Sequence, residues 1–316
     1  VIGAGGAGLR AVIEAREQGL RVAVVCKSLF GKAHTVMAEG GCAASMRNAN
    51  SKDSWQVHFG DTMRGGKFLN NWRMAELHAR EAPDRVWELE TYGALFDRTK
   101  DGRISQRNFG GHTYPRLAHV GDRTMQEKSG ALQQEDFAET GDYEARIKVF
   151  HECTITELVK DGDRIAGAFG YWRESGRFVL FEAPAVVLAT GGIGKSFKVS
   201  SNSWEYTGDG HALALRAGAT LINMEFIQFH PTGMVWPPSV KGILVTEGVR
   251  GDGGVLKNSE GKRFMFDYIP SVFKGQYAET EEEADQWLKD NDSARRTPDL
   301  LPRDEVARAI NSEVKA

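Results

Sequence analysis

The pattern of apolar and polar positions predicts a strand, a turn, a helix and a second strand at the start of the chain. An apolar pair at positions 1 and 2 ends the first strand, and Leu9 to Gln18 carries apolar residues at every third or fourth position. That spacing predicts a helix with one buried face. Gly19 ends the helix, and Arg21 to Cys26 is predicted to be the second strand.

The turn between the first strand and the helix is rich in glycine. Residues 3–8 read Gly-Ala-Gly-Gly-Ala-Gly, which fits the G-x-G-x-x-G pattern. In this context the first glycine permits a tight turn, the second lets the backbone approach a pyrophosphate, and the third allows close packing of helix and strand. The helix N-terminus adds amide donors and a partial positive charge. The pattern predicts a dinucleotide site that includes Gly3, Gly5, Gly6 and Gly8.

Farther along, the pattern alternates between helical and β-rich stretches. Two helices are predicted, Trp72 to Glu81 and Pro83 to Thr91. From about residue 145 to 182, four β-rich runs begin at Ile147, Thr154, Ile165 and Phe178 and predict an antiparallel meander.

The meander is followed by an apolar run and a second glycine-rich segment. Residues 185–189 read Ala-Val-Val-Leu-Ala, as expected for a parallel strand buried on both faces. Thr190, Gly191 and Gly192 come next and predict a second approach of backbone to the cofactor. Asp209 opens a further helix, where its carboxylate could cap amides or accept a hydrogen bond from a ribityl hydroxyl. A last helix is predicted from Glu305 to Ala316.

Composition limits the classes of partner. The 316 residues carry a net charge of -3, which does not imply a nucleic-acid partner. The chain contains no apolar run of the roughly 20 residues needed to span a bilayer, so we expect any membrane association to run through other subunits. Three scattered cysteines, Cys26, Cys42 and Cys153, argue against a metal or iron–sulfur centre in this polypeptide. The missing initiator Met and the start inside a strand lead us to expect a fragment of a longer protein.

Two domains are predicted, residues 1–229 and residues 230–316. The second is expected to be incomplete and to contain a charged insertion at about 277–299. Within that insertion the stretch Glu279 to Arg296 is so charged that we expect a solvated helical excursion, either filler or a docking surface for a partner.

Six separated motifs resemble those of one family, the flavoprotein subunit of succinate dehydrogenase and fumarate reductase, and they occur in the family's order. They are His34-Thr35-Val36 with Gly40-Gly41, the segment 106–111 (QRNFGG), the segment 207–210 (TGDG), the segment 228–233 (QFHPTG), the segment 246–251 (TEGVRG) and the segment 301–308 (LPRDEVAR).

The resemblance implies the fold and the cofactor. The expected fold class is α/β, with a Rossmann-like FAD-binding domain, an inserted antiparallel β-meander and an α+β capping domain. FAD is expected to be covalently bound through His34, which would raise the flavin potential. No acidic ribose-binding residue follows the second strand, where Lys27 stands instead. The cofactor-binding residues expected in all are Gly3, Gly5, Gly6, Gly8, Lys27, His34, Thr35, Gly41, Thr190, Gly191, Gly192 and Asp209.

The resemblance also implies the catalytic site. Arg303 is expected to transfer the proton, with Glu247 and Arg250 as a relay. A relay is needed because a guanidinium is protonated in water. Each of the three has a structural alternative: Glu247 and Arg250 could be an ion pair, and Arg303 could pair with Asp304.

The expected substrate-binding residues are His230, Thr246, Gly40 and Phe109, and no metal ligand is expected. His230 could instead be a core histidine bonded to backbone. A further histidine and arginine, expected beyond residue 316, would complete the clamp on the dicarboxylate.

The expected reaction is oxidation of succinate to fumarate, or the reverse, with electrons passed through an iron–sulfur subunit to quinone in membrane anchor subunits. A peripheral position follows, on the cytoplasmic face of a bacterial inner membrane or the matrix side of a mitochondrial one. Two alternatives stay open. One is a soluble fumarate reductase or L-aspartate oxidase, although both lack the histidine that matches His34. The other is a catalytically silent flavin-binding scaffold.

Overall fold

The computed structural model describes residues 1–121 and 147–316, which form two compact units. The first unit comprises Val1–Glu39, Glu88–Leu95 and the described part of Arg123–Phe226; the second comprises Gly40–Trp87, the described part of Phe96–Asp122 and Ile227–Ala316. Two internal stretches thus group with the C-terminal part of the chain, which begins at Ile227, close to the predicted boundary after residue 229; the two predicted domains themselves stay a prediction.

The first unit is built around parallel strands and one helix. Helix α1 (Gly6–Glu17) buries its apolar face, and strand β1 (Val22–Val25) follows it. Strand β5 (Ile147–Phe150) pairs in parallel with β1. Ile2 forms parallel bridges to both Val25 and Leu188, so the glycine turn leaves the carboxyl end of a paired strand.

Two expectations for this region need correction. The run at Ile147 has the pattern of a meander strand, but it pairs in parallel with β1, and residues 145 and 146 lie outside the described residues. The stretch 185–189 does pair in parallel with Ile2, yet it is not buried on both faces, since Val187 is 46% exposed.

The meander itself has three antiparallel strands. These are β6 (Cys153–Asp161), β7 (Arg164–Trp172) and β8 (Phe178–Glu182), in the order β6-β7-β8. Their buried side chains join Ile2 and Val25 in one hydrophobic cluster, to which helix α4 (Asp209–Arg216) adds Leu213. The meander and α4 therefore pack on the two strands that flank the glycine turn and α1.

The second unit contains a small antiparallel sheet and helices. Its strands are β2 (Cys42–Ala43), β3 (Gln106–Arg107) and β4 (Leu117–Ala118), in the order β2-β4-β3. Met265, Leu301 and Val306 lie in its core, and all three are fully buried. Its helices are α2 (Trp55–Gly65), α5 (Glu247–Gly251), α6 (Glu281–Lys289) and α7 (Arg303–Lys315).

Further helical segments complete the description. Helix α3 runs without interruption from Trp72 to Thr91 with Pro83 inside it, where the sequence predicts two helices. None of the helices in the described parts of the chain has the length and apolar character needed to cross a bilayer. The short 3-10 helices are His34–Met37, Gly194–Ser196, Pro238–Val240, Phe264–Tyr268, Ser271–Phe273 and Pro298–Leu300.

The charged stretch 279–296 is anchored to the second unit. Helix α6 lies in it, as predicted, but Ala284 is fully buried and Trp287 is only 5% exposed. Arg295 after the helix pairs with Glu283 at 2.6 Å and with Glu279 at 3.0 Å. Most of the segment is exposed, as predicted, but the buried face of α6 was not expected of a filler.

Candidate active site

The glycine turn of the first unit leaves no room for side chains. Gly3 has a φ of +111°, and a Cβ on it would lie 2.2 Å from the carbonyl oxygen of Ala189. A Cβ on Gly8 would lie 2.0 Å from the carbonyl oxygen of Gly3. Only glycine fits at these two positions, as close packing of the helix N-terminus on the strand requires. The amide of Gly6, at the start of α1, donates to Thr35 Oγ1 at 3.0 Å.

Lys27 and Asp209 form an ion pair beside this turn. Lys27 Nζ lies 2.6 Å from Asp209 Oδ2 and also donates to Thr207. Burial opposes ionisation of Asp209, but hydrogen bonds from Lys27 and Thr207 outweigh it and lower the pKa of the carboxyl. Gly208, not a carboxylate, is the N-cap of α4, so the predicted capping role of Asp209 is not seen.

A cavity in the first unit brings together four of the twelve predicted cofactor residues. It is lined by residues that include Gly3, Lys27, Thr190 and Asp209. The glycines after Thr190 lie close to other groups as well: Gly191 has a φ of +73°, and a Cβ on it would lie 2.3 Å from the ring of Tyr206. A Cβ on Gly192 would lie 3.5 Å from the same ring. The structure thus brings Gly3 and Thr190, which are far apart in the sequence, to one cavity, while Gly191 and Gly192 are not among the residues that line it.

His34 lies in the same unit with one ring nitrogen engaged. Its Nδ1 accepts a hydrogen bond from the backbone amide of Ser203 at 3.1 Å, and its ring lies 4.6 Å from that of Tyr206. Burial lowers the pKa of His34, which favours the neutral imidazole. With Nδ1 accepting, Nε2 is the nitrogen left for other chemistry. Sequence reasoning missed Ser203 and Tyr206, because nothing local to either residue signals a contact with His34.

In the second unit, the carboxylate of Glu247 is the centre of the predicted proton-transfer residues. Glu247 is 1% exposed, and its Oε1 accepts a hydrogen bond from the amide of Gly110 at 2.7 Å. Its Oε2 lies 2.7 Å from Arg303 Nε and 3.5 Å from an Nη of Arg250. Arg303 pairs with Glu247 rather than with Asp304, whose own partner is Arg308 at 2.8 Å.

Arg250 is the most buried arginine of this cluster. It is 3% exposed and donates to the carbonyl oxygen of Asp299 at 2.6 Å. Burial lowers the pKa of Arg250, although Glu247 opposes that effect. Glu247 Oε2 thus connects the two guanidiniums, which is the arrangement that a proton relay needs.

The four predicted substrate-binding residues also lie in this unit. Thr246 is the N-cap of α5, and its hydroxyl accepts a hydrogen bond from the amide of Gly248. His230 accepts a hydrogen bond at Nδ1 from the amide of Thr232 at 3.3 Å, in keeping with the alternative interpretation of a backbone-bonded ring. Burial, together with the nearby Arg303, lowers the pKa of His230 to about 4.

Gly40 and Phe109 contact each other, and Arg303 lies over the aromatic ring. A Cβ on Gly40 would lie 3.1 Å from the Phe109 ring, and the Gly40 carbonyl accepts hydrogen bonds from Arg107. The guanidinium carbon of Arg303 is 5.3 Å from the centre of the Phe109 ring. Gly41, expected to bind the cofactor, belongs to this second unit, with a φ of +134°.

One residue with a clear role in holding this site was missed from the sequence. Arg296 donates to the carbonyl oxygens of Phe109 and His112, but it stands in the stretch interpreted as solvated, and no local pattern distinguishes it from its neighbour Arg295. In the part of the chain that the structure describes, no group of three or more His, Cys, Asp or Glu side chains is placed to hold a metal ion.

A glycine turn at a helix N-terminus fits a dinucleotide cofactor. Comparison with known families identifies the class as FAD-dependent oxidoreductases, since residues 1–316 match the family described as FAD binding domain. The chain belongs to this family, and FAD is the cofactor that its fold binds.

Two named relatives indicate which members of this family the chain resembles. The chain is 44% identical over 315 residues to a fumarate reductase (CoM/CoB) polypeptide of Methanothermobacter marburgensis, covering 99% of this chain and 52% of that protein. It is 35% identical over 323 residues to a succinate dehydrogenase flavoprotein subunit of Rickettsia bellii, covering 100% of this chain and 48% of the relative. The chain thus spans about half the length of these relatives.

Solved structures show the same fold. Sdh1 of Mycobacterium smegmatis, in complex with UQ1, is 79% identical with a TM-score of 0.79, over 100% of this chain and 49% of that one. A variant of E. coli quinol fumarate reductase is 34% identical with a TM-score of 0.86, over 99% of this chain and 50% of that one.

Proposed function

We propose that this chain is part of a flavoprotein subunit that oxidises succinate to fumarate, or carries out the reverse reaction, with FAD bound covalently through His34. The observation that carries the proposal is the buried Glu247 carboxylate, which joins the Gly110 amide, Arg303 and Arg250 within hydrogen-bond or ion-pair distance. The names of the relatives support the substrate class, because they are those of succinate dehydrogenase and fumarate reductase proteins.

The residues of the first unit fit FAD. The positions of Gly3 and Gly8 exclude any side chain, and the helix that follows them presents its N-terminus, which suits a pyrophosphate. Lys27 and Asp209, at the same cavity, offer a cation and a carboxylate for phosphate and hydroxyl groups. When bound, the flavin would accept a hydride, that is, two electrons and a proton.

His34 is suited to carry the covalent bond. Burial lowers its pKa and so favours the neutral ring, and its Nδ1 is held as an acceptor by the Ser203 amide. An imidazole alkylated at Nε2 keeps a lone pair at Nδ1, so the same hydrogen bond fits the bonded form of the ring. The hydroxyl of Thr35, the next residue, accepts a hydrogen bond from the Gly6 amide, which links this segment to the glycine turn.

We assign binding of the dicarboxylate to residues of the second unit. His230 and Thr246 would contact one carboxylate, with backbone at Gly40 and Phe109 nearby. The lowered pKa of His230 leaves this ring neutral near pH 7, so it acts there as a hydrogen-bonding group rather than as a cation.

Oxidation of succinate removes a hydride and a proton from adjacent carbons and forms the double bond. Arg303 is the group that we assign to the proton. In fumarate reduction its guanidinium donates a proton to carbon. In succinate oxidation the guanidinium must first give up a proton, and Glu247 Oε2, 2.7 Å from its Nε, can accept it. Arg250, 3.5 Å from the same oxygen, is the next group in the relay: its guanidinium would release one of its own protons as it receives this one, and burial, which lowers its pKa, favours that release.

Partners and location belong to the same proposal. The electrons would pass through an iron–sulfur subunit to quinone in membrane anchor subunits, as expected of the relatives' complexes. The chain would be peripheral to the membrane, on the cytoplasmic face in bacteria. Pull-down of the complete protein with an iron–sulfur subunit from membranes tests this part.

The catalytic assignment is tested with Arg303→Lys in the complete protein. Lys keeps the charge but loses the planar fork that reaches Glu247, so turnover of succinate should fall by about 10²–10⁴-fold while FAD content is unchanged. Arg308→Lys is the matched control, because Arg308 lies on the same helix and is 64% exposed. A parental rate in Arg303→Lys would refute the role of Arg303.

The covalent bond is tested separately. The denatured polypeptide should fluoresce as flavin after gel separation, and His34→Ala should lose that fluorescence while FAD stays bound in the folded protein. Release of all FAD from the parent protein by acid would instead favour a soluble fumarate reductase or L-aspartate oxidase. A flavin spectrum that does not respond to succinate would favour a silent flavin-binding scaffold.

A further inference from the structure

Arg296 bridges two backbone carbonyls of the turn from Phe109 to His112. One Nη donates to the His112 carbonyl, and the other donates to the Phe109 carbonyl at 3.0 Å. The turn has one internal bond of its own, from the His112 amide to the Phe109 carbonyl at 3.3 Å. A planar guanidinium with two parallel donors suits this pair of oxygens, and a single ammonium cannot reach both in the same geometry.

The same turn delivers the hydrogen bond that Glu247 receives. The amide of Gly110 lies between the two carbonyls and donates to Glu247 Oε1 at 2.7 Å. The amide of Gly111 donates to the carbonyl of Leu300 at 3.3 Å. The position of the turn therefore determines where the Glu247 carboxylate is held relative to Arg303.

Arg296 is itself held by the charged segment 279–296 and its surroundings. Its guanidinium carbon lies 5.6 Å from the centre of the Trp287 ring, on helix α6. Its carbonyl accepts a hydrogen bond from the amide of Ala278 at 2.7 Å. Helix α6 is fastened to the unit in turn, because Asp285 pairs with the buried Arg263 at 2.9 Å.

We infer that Arg296 is a positioning residue, which helix α6 holds so that the Phe109–His112 turn aims the Gly110 amide at Glu247. The inference rests on the proposed function for its kinetic consequence only. Without Arg296, the turn keeps its internal bond but loses both external donors to its carbonyls. Glu247 then loses one of the three groups that hold its carboxylate, and its alignment with Arg303 is less constrained.

The test uses the complete flavoprotein with its cofactor, in three variants. Arg296→Lys keeps charge and bulk but not the fork, Arg296→Met removes the donors, and Arg295→Lys is the matched control. Arg295 is the preceding residue in the chain, and it pairs with Glu283 and Glu279 rather than with the turn.

The first readout is hydrogen–deuterium exchange of the peptide that contains residues 109–112. Both Arg296 variants should exchange at least about tenfold faster at Gly110 and Gly111, and Arg295→Lys should match the parent. Parental exchange in both Arg296 variants overturns the inference. This readout does not depend on which reaction the protein catalyses, so it stands if the proposed function fails.

The second readout is the split between kcat and KM for succinate. Hydrogen bonds to charged groups are stronger than those between neutral groups. We therefore expect that loosening the bond from the Gly110 amide to Glu247 lowers kcat by about 10- to 100-fold, with a much smaller change in KM. Arg296→Lys should not restore kcat. A role in folding alone would lower Tm yet leave kcat parental at temperatures where the variants are folded, and that result overturns the inference. If the parent protein does not oxidise succinate, exchange at 109–112 decides the matter.

Discussion

Gly110→Ala should place a methyl group where the Glu247 carboxylate lies. A Cβ on Gly110 would be 2.2 Å from Glu247 Oε1 and 3.2 Å from the carbonyl oxygen of Leu301. Contact between such atoms is normal only at about 3.5 Å, so the carboxylate must move by about 1 Å or the turn must shift. Glu247 has little freedom to move, because it is 1% exposed and is held by Gly110, Arg303 and Arg250.

The magnitude follows from the bonds that such a shift breaks. Loss of a hydrogen bond to a charged group costs about 1.5–3 kcal/mol. If that interaction is made in the transition state, turnover falls by about 10- to 100-fold. FAD content should not change, because Gly110 belongs to the second unit and the glycine turn to the first.

The assay is dye-linked oxidation of succinate by the complete protein, with FAD content measured from absorbance. Gly65→Ala is the control, because a Cβ there meets nothing within 4 Å and the residue ends helix α2. The control should keep parental turnover and gain slightly in stability, as Ala does over Gly in helices. Parental kcat in Gly110→Ala would refute the placement of Glu247 as a proton-relay group.

Two further predictions concern stability. Trp287→Ala should lower the free energy of unfolding by about 3–5 kcal/mol, since this side chain is 5% exposed, and denaturant unfolding that shows a loss below about 1 kcal/mol would restore the filler interpretation. Burial, with Arg116 nearby, lowers the pKa of His58 from 6.5 to about 4, so the unfolded chain binds the extra proton between those values. The free energy of unfolding should therefore fall as the pH drops from about 6.5 to about 4, by at most about 3 kcal/mol from this residue. The His58→Leu variant should show a shallower pH dependence in the same titration, and an unchanged slope would contradict the assignment.

Local features of the fold could be predicted from sequence alone. The glycine turn and α1 lie close to their predicted bounds, because the steric freedom of Gly3 and the helical spacing of apolar residues act over a few positions. The charged run after residue 279 did predict a helix. The buried face could not be predicted from the highly charged composition, because it depends largely on one large residue: Trp287 buries as much surface as several smaller ones.

Pairing between distant segments was decided only by the tertiary structure. The run at Ile147 has the composition of a meander strand, and its parallel partner Val22 stands far away in the sequence. The composition of a strand indicates how well the segment fits a pleated sheet, but not which strand it will pair with. That choice depends on the packing of the whole unit, here on the cluster that joins Ile2, Val25 and the meander.

The candidate site divides in the same way. The sequence by itself determined which residue types the chain offers for the chemistry, including His34, Glu247 and Arg303, through motifs that resemble one family. Only the tertiary structure decided which atoms meet. The Gly110 amide and Glu247 are 137 residues apart, and Arg296 lies 187 residues from Phe109. Contacts across such separations form only when burial of other residues offsets the entropy lost in closing the intervening chain, and no local pattern encodes that balance.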